Sequence, residues 1–311
     1  MISLRYHVIS IGAVFLALAL GVLLGSTTLS DSLLSGISGQ KAKLAEQVAD
    51  LQTQNNALNA KLSAADQFAT GIGPRTVKNL LTGRTVAVIS TPDANNSTEQ
   101  ALATLLTAAG AQITSKIQLT TAFSDPNKAD QLRDLVTQLI PAGAQLPVAS
   151  DPGTLAGGLL GDLLLLNKSN NPQATPNERS AALTGLAGAG FIKAPTPTPT
   201  PAQLAIVLTA GQLGDKAGDQ AAMLARFATQ LQRTGPGTVL AGTNGSATGT
   251  GPIGVARADT ADSTLSTVDN ADTAAGRITT ILALQEQLNG KAGNYGTASN
   301  AQSPIPQPAN S

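Results

Sequence analysis

Two runs, Thr85-Val86-Ala87-Val88-Ile89-Ser90 and Leu204-Ala205-Ile206-Val207-Leu208-Thr209, decide how this chain folds. Each is continuous in apolar and β-branched residues with no polar alternation, the pattern of strands buried on both faces. Such strands form parallel sheets, which need crossover helices, and the flanking sequence supplies them. After a turn at Thr91-Pro92-Asp93, Ser97 to Ala109 places Leu102, Leu105 and Leu106 on one face and stops at Gly110. Ala111 to Leu119 reads as a strand, and Asp125-Pro126 opens a helix through Leu132, Leu135, Val136 and Leu139 to Pro141. Helical patterns recur at Leu155 to Leu166, Asn177 to Ala189, Ala217 to Gln232 and Gly276 to Leu288. Thr238 to Ala241 and Ile253 to Ala256 read as short strands. The alternation predicts an α/β head over residues 76–292, a mostly parallel sheet flanked by helices. Pro195 to Pro201 (PTPTPTP) reads as a stiff surface spacer; no Arg flanks it, as an SH3-type ligand would require. Residues 293–311, rich in Gly, Asn, Ser, Pro and Gln, read as a disordered tail.

Upstream of the head the pattern is different. Ile37, Leu44, Leu51, Leu58 and Ala65 recur every seventh residue, interleaved with Lys41, Val48, Asn55 and Leu62. This is a heptad seam on a helix spanning 30–69, ended by Gly71-Ile72-Gly73-Pro74. Leu at d with Val and Asn at a suits a parallel two-stranded coil, with dimer seam Leu44, Val48, Leu51, Asn55, Leu58 and Leu62. A helix lying on its own head is the other reading. Further upstream, VISIGAVFLALALGVLL at 8–24 carries no charge, and about 1.5 Å per residue takes it across most of a ~30 Å hydrocarbon core. Residues 8–26 therefore read as a transmembrane anchor, with Val8, Ile11, Phe15, Leu18 and Leu24 among its lipid-facing residues. Arg5 before it and Asp31 after it put residues 1–7 in the cytoplasm and the head outside. A cleaved signal peptide with Ala17-Leu18-Ala19 as its site is the competitor, though the apolar run continues past that point.

Composition excludes much chemistry. Nineteen basic residues balance nineteen acidic ones, which leaves no basic surface for nucleic acid. There is no Cys, and the single His is His7, in the N-terminal segment, so neither a Ser–His triad nor a Cys–His pair is available to the head. An enzyme is not expected, and no cofactor is implied. The Gly242–Gly251 stretch (GTNGSATGTG) resembles a phosphate loop in composition but lacks a G-K-[ST] ending and reads as a connection into a strand. Weak carboxylate candidates for a metal are Asp162, alone in an apolar run, and Asp269 and Asp272. Asp259 and Asp262 lie near them, and helix capping or pairing with Arg257 and Arg277 is the plainer role for this group.

The chain resembles the MctB-type copper transport family of mycobacteria and other actinobacteria. The segments that carry the resemblance are MISLRYHVIS with VFLALALGVLLGS, KLSAAD at 61–66, TPDA at 91–94 and LIPAGAQL at 139–146. ARFA at 225–228, TVLAG at 238–242, STVDNADTAAGRITTILAL at 266–284 and NYG at 294–296 continue it. The resemblance implies a channel-like envelope protein of the outer membrane that exports copper. Related members are linked to envelope division with a membrane partner, which implies a bitopic scaffold bound to envelope proteins. The N-terminal helix itself points to the plasma membrane. Copper prefers Cys, His and Met, and beyond the anchor only Met223 is present, on the apolar face of a helix.

Overall fold

In the computed structural model, the structure describes residues 4–195, 197–214, 217–259 and 264–307, with the backbone alone at 26–36 and 38. The chain divides into two units, residues 1–65 and 66–311. Helix α1 runs Leu4–Thr76 and contributes to both. The helix does not stop at Gly71, as expected above. It continues through Pro74, which has no N–H to donate to the preceding turn, and ends two residues later at Thr76.

The second unit is built on six parallel strands, β1 (Thr85–Ser90), β2 (Gln112–Gln118), β3 (Leu204–Thr209), β4 (Gly237–Gly242), β5 (Ser266–Val268) and β6 (Asn294–Tyr295), in the order β2-β1-β3-β4-β5-β6. Seven further α-helices connect them: α2 (Asn96–Ala108), α3 (Ala129–Gln138), α4 (Pro152–Leu164), α5 (Pro176–Gly188), α6 (Gly218–Thr234), α7 (Pro252–Ala258) and α8 (Ala274–Leu288). The expected α/β architecture with a parallel sheet is borne out. Strand residues alternate between two cores. Ala87, Ile89, Ala205, Val207 and Leu240 face α3 to α7, while Val86, Val88, Leu204, Ile206, Leu208 and Val239 face α2, α8 and the end of α1. Because both faces are covered, the runs look uniformly apolar in sequence.

Helix α4 approaches α6 with almost no side chain between them. A Cβ on Gly153 would lie 2.4 Å from the Met223 carbonyl oxygen, and one on Gly157 2.7 Å from that of Phe227. Glycine every fourth residue thus makes a smooth stripe along α4, and the adjoining Phe227 stacks edge-on against Phe123 at 5.1 Å.

Three sequence expectations are corrected. Ile253–Ala256, read as a strand, is the middle of α7: its apolar run is short enough for either, and Gly251-Pro252 starts a helix. Ser266–Val268 is a strand that the sequence reading missed, being only three residues long. The tail is ordered from 293 through 307, with Asn294–Tyr295 pairing alongside β5; residues 308–311 of the expected disordered segment lie outside the described residues.

The last strand is reached in an unusual way. Helix α8 packs on the same face as α2, although its step from β5 to β6 runs in the same direction as the steps made by α6 and α7 on the other face. This crossover therefore has the opposite hand to the others, against a strong right-handed preference. At the other end of the sheet, β2 is an edge. Lys193 and Thr200 lie against it, with Lys193 N donating to Gln118 O at 2.8 Å and Thr200 N to Thr114 O at 3.3 Å. The prolines between lack donors, so this strap covers the edge without offering a new one.

Candidate functional site

In open parallel sheets, ligands collect at the carboxyl ends of strands where the strand order reverses, here between β1 and β3. That edge carries Thr91, Thr209, Ser246 and Asn270, all buried. Among the described residues, none provides a hydrogen-bond partner to the side-chain oxygens of these four. The loops over the edge are packed closed: a Cβ on Gly211 would lie 2.4 Å from Asn244 O, and one on Gly276 1.9 Å from Asn270 O. The Gly242–Gly251 loop leads into α7 and not into a strand, but it offers nothing to a phosphate. Ser246 O accepts from Ile253 N and Gly254 N, each at 3.0 Å, so the first free amides of α7 are satisfied by the loop itself.

The carboxylates are dispersed. Asp269 pairs with Arg257 at 2.8 Å, both side chains 3% exposed. Arg257 Nε also donates to Thr267 Oγ1 at 2.9 Å, Nη1 to Asn300 Oδ1 at 2.8 Å and Nη2 to Tyr295 O at 2.7 Å. Asp269 Oδ1 accepts from Thr297 N at 2.8 Å. This knot joins α7, β5 and the segment after β6, and both carboxylate oxygens of Asp269 accept from protein donors. Burial pulls the Arg257 guanidinium below its ordinary value, and Asp269 opposes that pull. Asp272 accepts from Asn244 N at 3.2 Å, tying the β4 and β5 loops together. Asp66 Oδ1 accepts from Ala274 N at 2.6 Å and so caps α8, beside the Thr273 cap. Asp262 lies outside the described residues. Among the described residues no three of His, Asp and Glu gather where a metal could sit. Met223 is buried in the core.

Asp162 sits half-buried in the last turn of α4, where the helix C-terminus disfavours negative charge. Burial pushes its carboxyl from the ordinary 3.8 up to about 6. The folded protein thus holds an extra proton between those values, and stability rises as pH falls through 6, levelling off below about 4. Asp162→Asn is expected to stabilise the protein by about 1–2 kcal/mol at pH 7.5, the full ~3 kcal/mol for such a shift being reduced by solvent screening. Urea unfolding at pH 7.5 and pH 3.5 measures this; an equal gain at both values would contradict the burial of the ionised group.

In the first unit, Val8, Ile11, Phe15, Leu18 and Leu24 are exposed. Leu4–Gly25 has a mean hydropathy of 2.6 and is long and apolar enough to cross a bilayer. The seam residues Leu44, Val48, Leu51, Leu58 and Leu62 are 53–64% exposed. Asn55 Oδ1 accepts from Asn59 Nδ2 at 3.0 Å, a turn further along the same helix.

These features define a class: a parallel α/β protein carrying one N-terminal helix apolar enough for a bilayer, with no metal-ligating cluster among the described residues. Residues 1–306 match the family described as "Copper transport outer membrane protein, MctB", and the chain belongs to that family. It is 43% identical over 310 residues to the copper transporter MctB of Mycobacterium bovis, covering 97% of this chain and 98% of that protein. The same figures hold for the copper transporter MctB of Mycobacterium tuberculosis. The copper transporter MctB of Mycobacterium leprae is 44% identical over 320 residues, covering 99% of this chain and 100% of that protein.

Proposed function

We propose that this chain serves copper efflux across the cell envelope, as a plasma-membrane-anchored, non-enzymatic component whose head lies outside the cytoplasm. The observation that carries the reading is the end-to-end likeness to proteins named copper transporter MctB. The ligand chemistry shapes it further. With no Cys, no His beyond His7 and Met223 in the core, the head offers copper no exposed thiolate, imidazole or thioether, leaving mainly hard oxygen donors. Copper is thus a substrate passed along weakly or by a partner, and the chain acts as an accessory to its passage. Arg5 and Asp31 on either side of the apolar helix support the orientation.

A second reading, a dimeric scaffold for envelope proteins, rests on the exposed heptad seam. A parallel coil would bury those leucines and pair Asn55 with its copy. One experiment addresses both. Cells lacking the protein are complemented with the chain carrying Asn55→Cys, its sole cysteine, with or without residues 8–24. The complete chain is expected to lower cell-associated copper several-fold under copper load and to yield a disulfide-linked dimer on mild oxidation. Copper levels equal to those of uncomplemented cells would overturn the transport reading, and an exclusively monomeric product would overturn the coil.

A further inference from the structure

The strap along the β2 edge carries chemistry that neither the fold nor the proposed transport role uses. Its sequence alternates threonine and proline from Pro195 to Pro201. Pro199 is buried and pins the strap, while Thr198 and Thr200 on either side of it are exposed. Thr200 N is held by Thr114 O, but among the described residues no group engages the hydroxyl of Thr198 or of Thr200. Leu183 and Ala187 of α5, with Pro195 and Pro199, line an open groove beside Thr198. Proline on both sides keeps each threonine in an extended backbone outside any helix, with a single backbone bond, Thr200 N to Thr114 O, to the sheet edge. Exported segments that alternate Pro with Ser or Thr are typical acceptors for O-linked sugars, and an acceptor must reach a transferase as an accessible, extended chain.

We infer that Thr198 and Thr200 are O-glycosylation acceptors. The modification rests on the head lying outside the cytoplasm, as proposed above. In the reaction the Thr Oγ1 gives its proton to a base of the transferase and attacks the anomeric carbon of a polyprenyl-phosphate sugar. A C–O bond forms to the threonine, the anomeric C–O bond to phosphate breaks, and the polyprenyl phosphate leaves with the electron pair. No oxidation or reduction is involved. A sugar at either position also adds hydrated bulk over the sheet edge, reinforcing the protection that the prolines give against edge-to-edge pairing.

The test compares the complete chain isolated from the membranes of its native host with the same chain made in a cell-free system lacking sugar donors. Intact mass and the tryptic peptide beginning at Ala194 are measured, and protease accessibility of the head is scored on intact spheroplasts. The expected result is two or more hexose-sized increments confined to that peptide. Thr198→Ala and Thr200→Ala should each remove an increment, and Thr198→Ser should restore one. A head open to protease with an unmodified peptide would overturn the glycosylation alone. A protected head would overturn the exported orientation and the glycosylation together. Sugar found on other peptides, with this one bare, would also overturn the assignment.

Discussion

Replacing Arg257 by Met is expected to destabilise the second unit by about 3–5 kcal/mol, because it leaves Asp269 charged and buried without its partner. The loss reaches beyond one ion pair. Arg257 ties Thr267 of β5, the carbonyl of Tyr295 in β6 and Asn300 to the end of α7. Strand β6 has two residues and enters through a crossover of the disfavoured hand, so the ladder alone gives it little hold. Limited proteolysis of the complete chain in detergent should therefore cut first within residues 293–307 in Arg257→Met. The double variant with Asp269→Leu should recover much of the unfolding free energy, since two apolar groups replace a charged pair. A urea unfolding free energy for Arg257→Met within about 0.5 kcal/mol of the parent would show that the knot is not what holds the C-terminal segment.

Gly153→Val is expected to cost about 3 kcal/mol, the upper part of the usual overpacking range. The new Cβ would meet the Met223 carbonyl at 2.4 Å, and a backbone atom in a helix cannot swing aside as a side-chain tip does. The gain in helix propensity on leaving glycine is only some tenths of a kcal/mol for a β-branched residue, too small to offset the clash. Gly188→Ala, at the end of α5 with open space around it, is the control and should be neutral or slightly stabilising. Thermal or urea unfolding decides between them; equal effects at 153 and 188 would mean that α4 and α6 are not in close approach.

How far the sequence could be read depended on whether the deciding forces were local. The runs at 85–90 and 204–209 are strands with the expected limits, because uninterrupted β-branched and apolar residues between turn signals suit a doubly covered strand. α4 and α5 were expected at Leu155–Leu166 and Asn177–Ala189; they begin at Pro152 and Pro176, where the Asp151 and Thr175 side chains cap the first turns. Ile253–Ala256 went the other way: four apolar residues fit either period, and what makes them helical is packing against α6. β5 and β6 are too short for any pattern, and their pairing is set by partners far along the chain.

The candidate site was less legible than the fold. Asp269 looked like a possible metal ligand because a carboxylate's role depends on which donors surround it. Its donors come from residues 257, 297 and 298, which only folding assembles. Asp162 could be singled out as odd in its run, but its raised pKa depends on the burial of one side of α4. Asp66 gave no signal at all as the cap of a helix that starts at Ala274.

From sequence alone come the apolar helix long enough for a bilayer, the heptad seam, the parallel α/β class and the lack of soft copper ligands. Each depends on composition, on the length of an uninterrupted apolar run, or on a seven-residue repeat. Tertiary structure alone settled the strand order, the reversed hand of the last crossover, the glycine-smooth contact of α4 with α6 and the strap over β2. It also showed Asp269, Asp272 and Asp66 to be clamps and caps within the fold. These are long-range facts, fixed by which surfaces bury one another and which charges then need partners, and no local pattern encodes either.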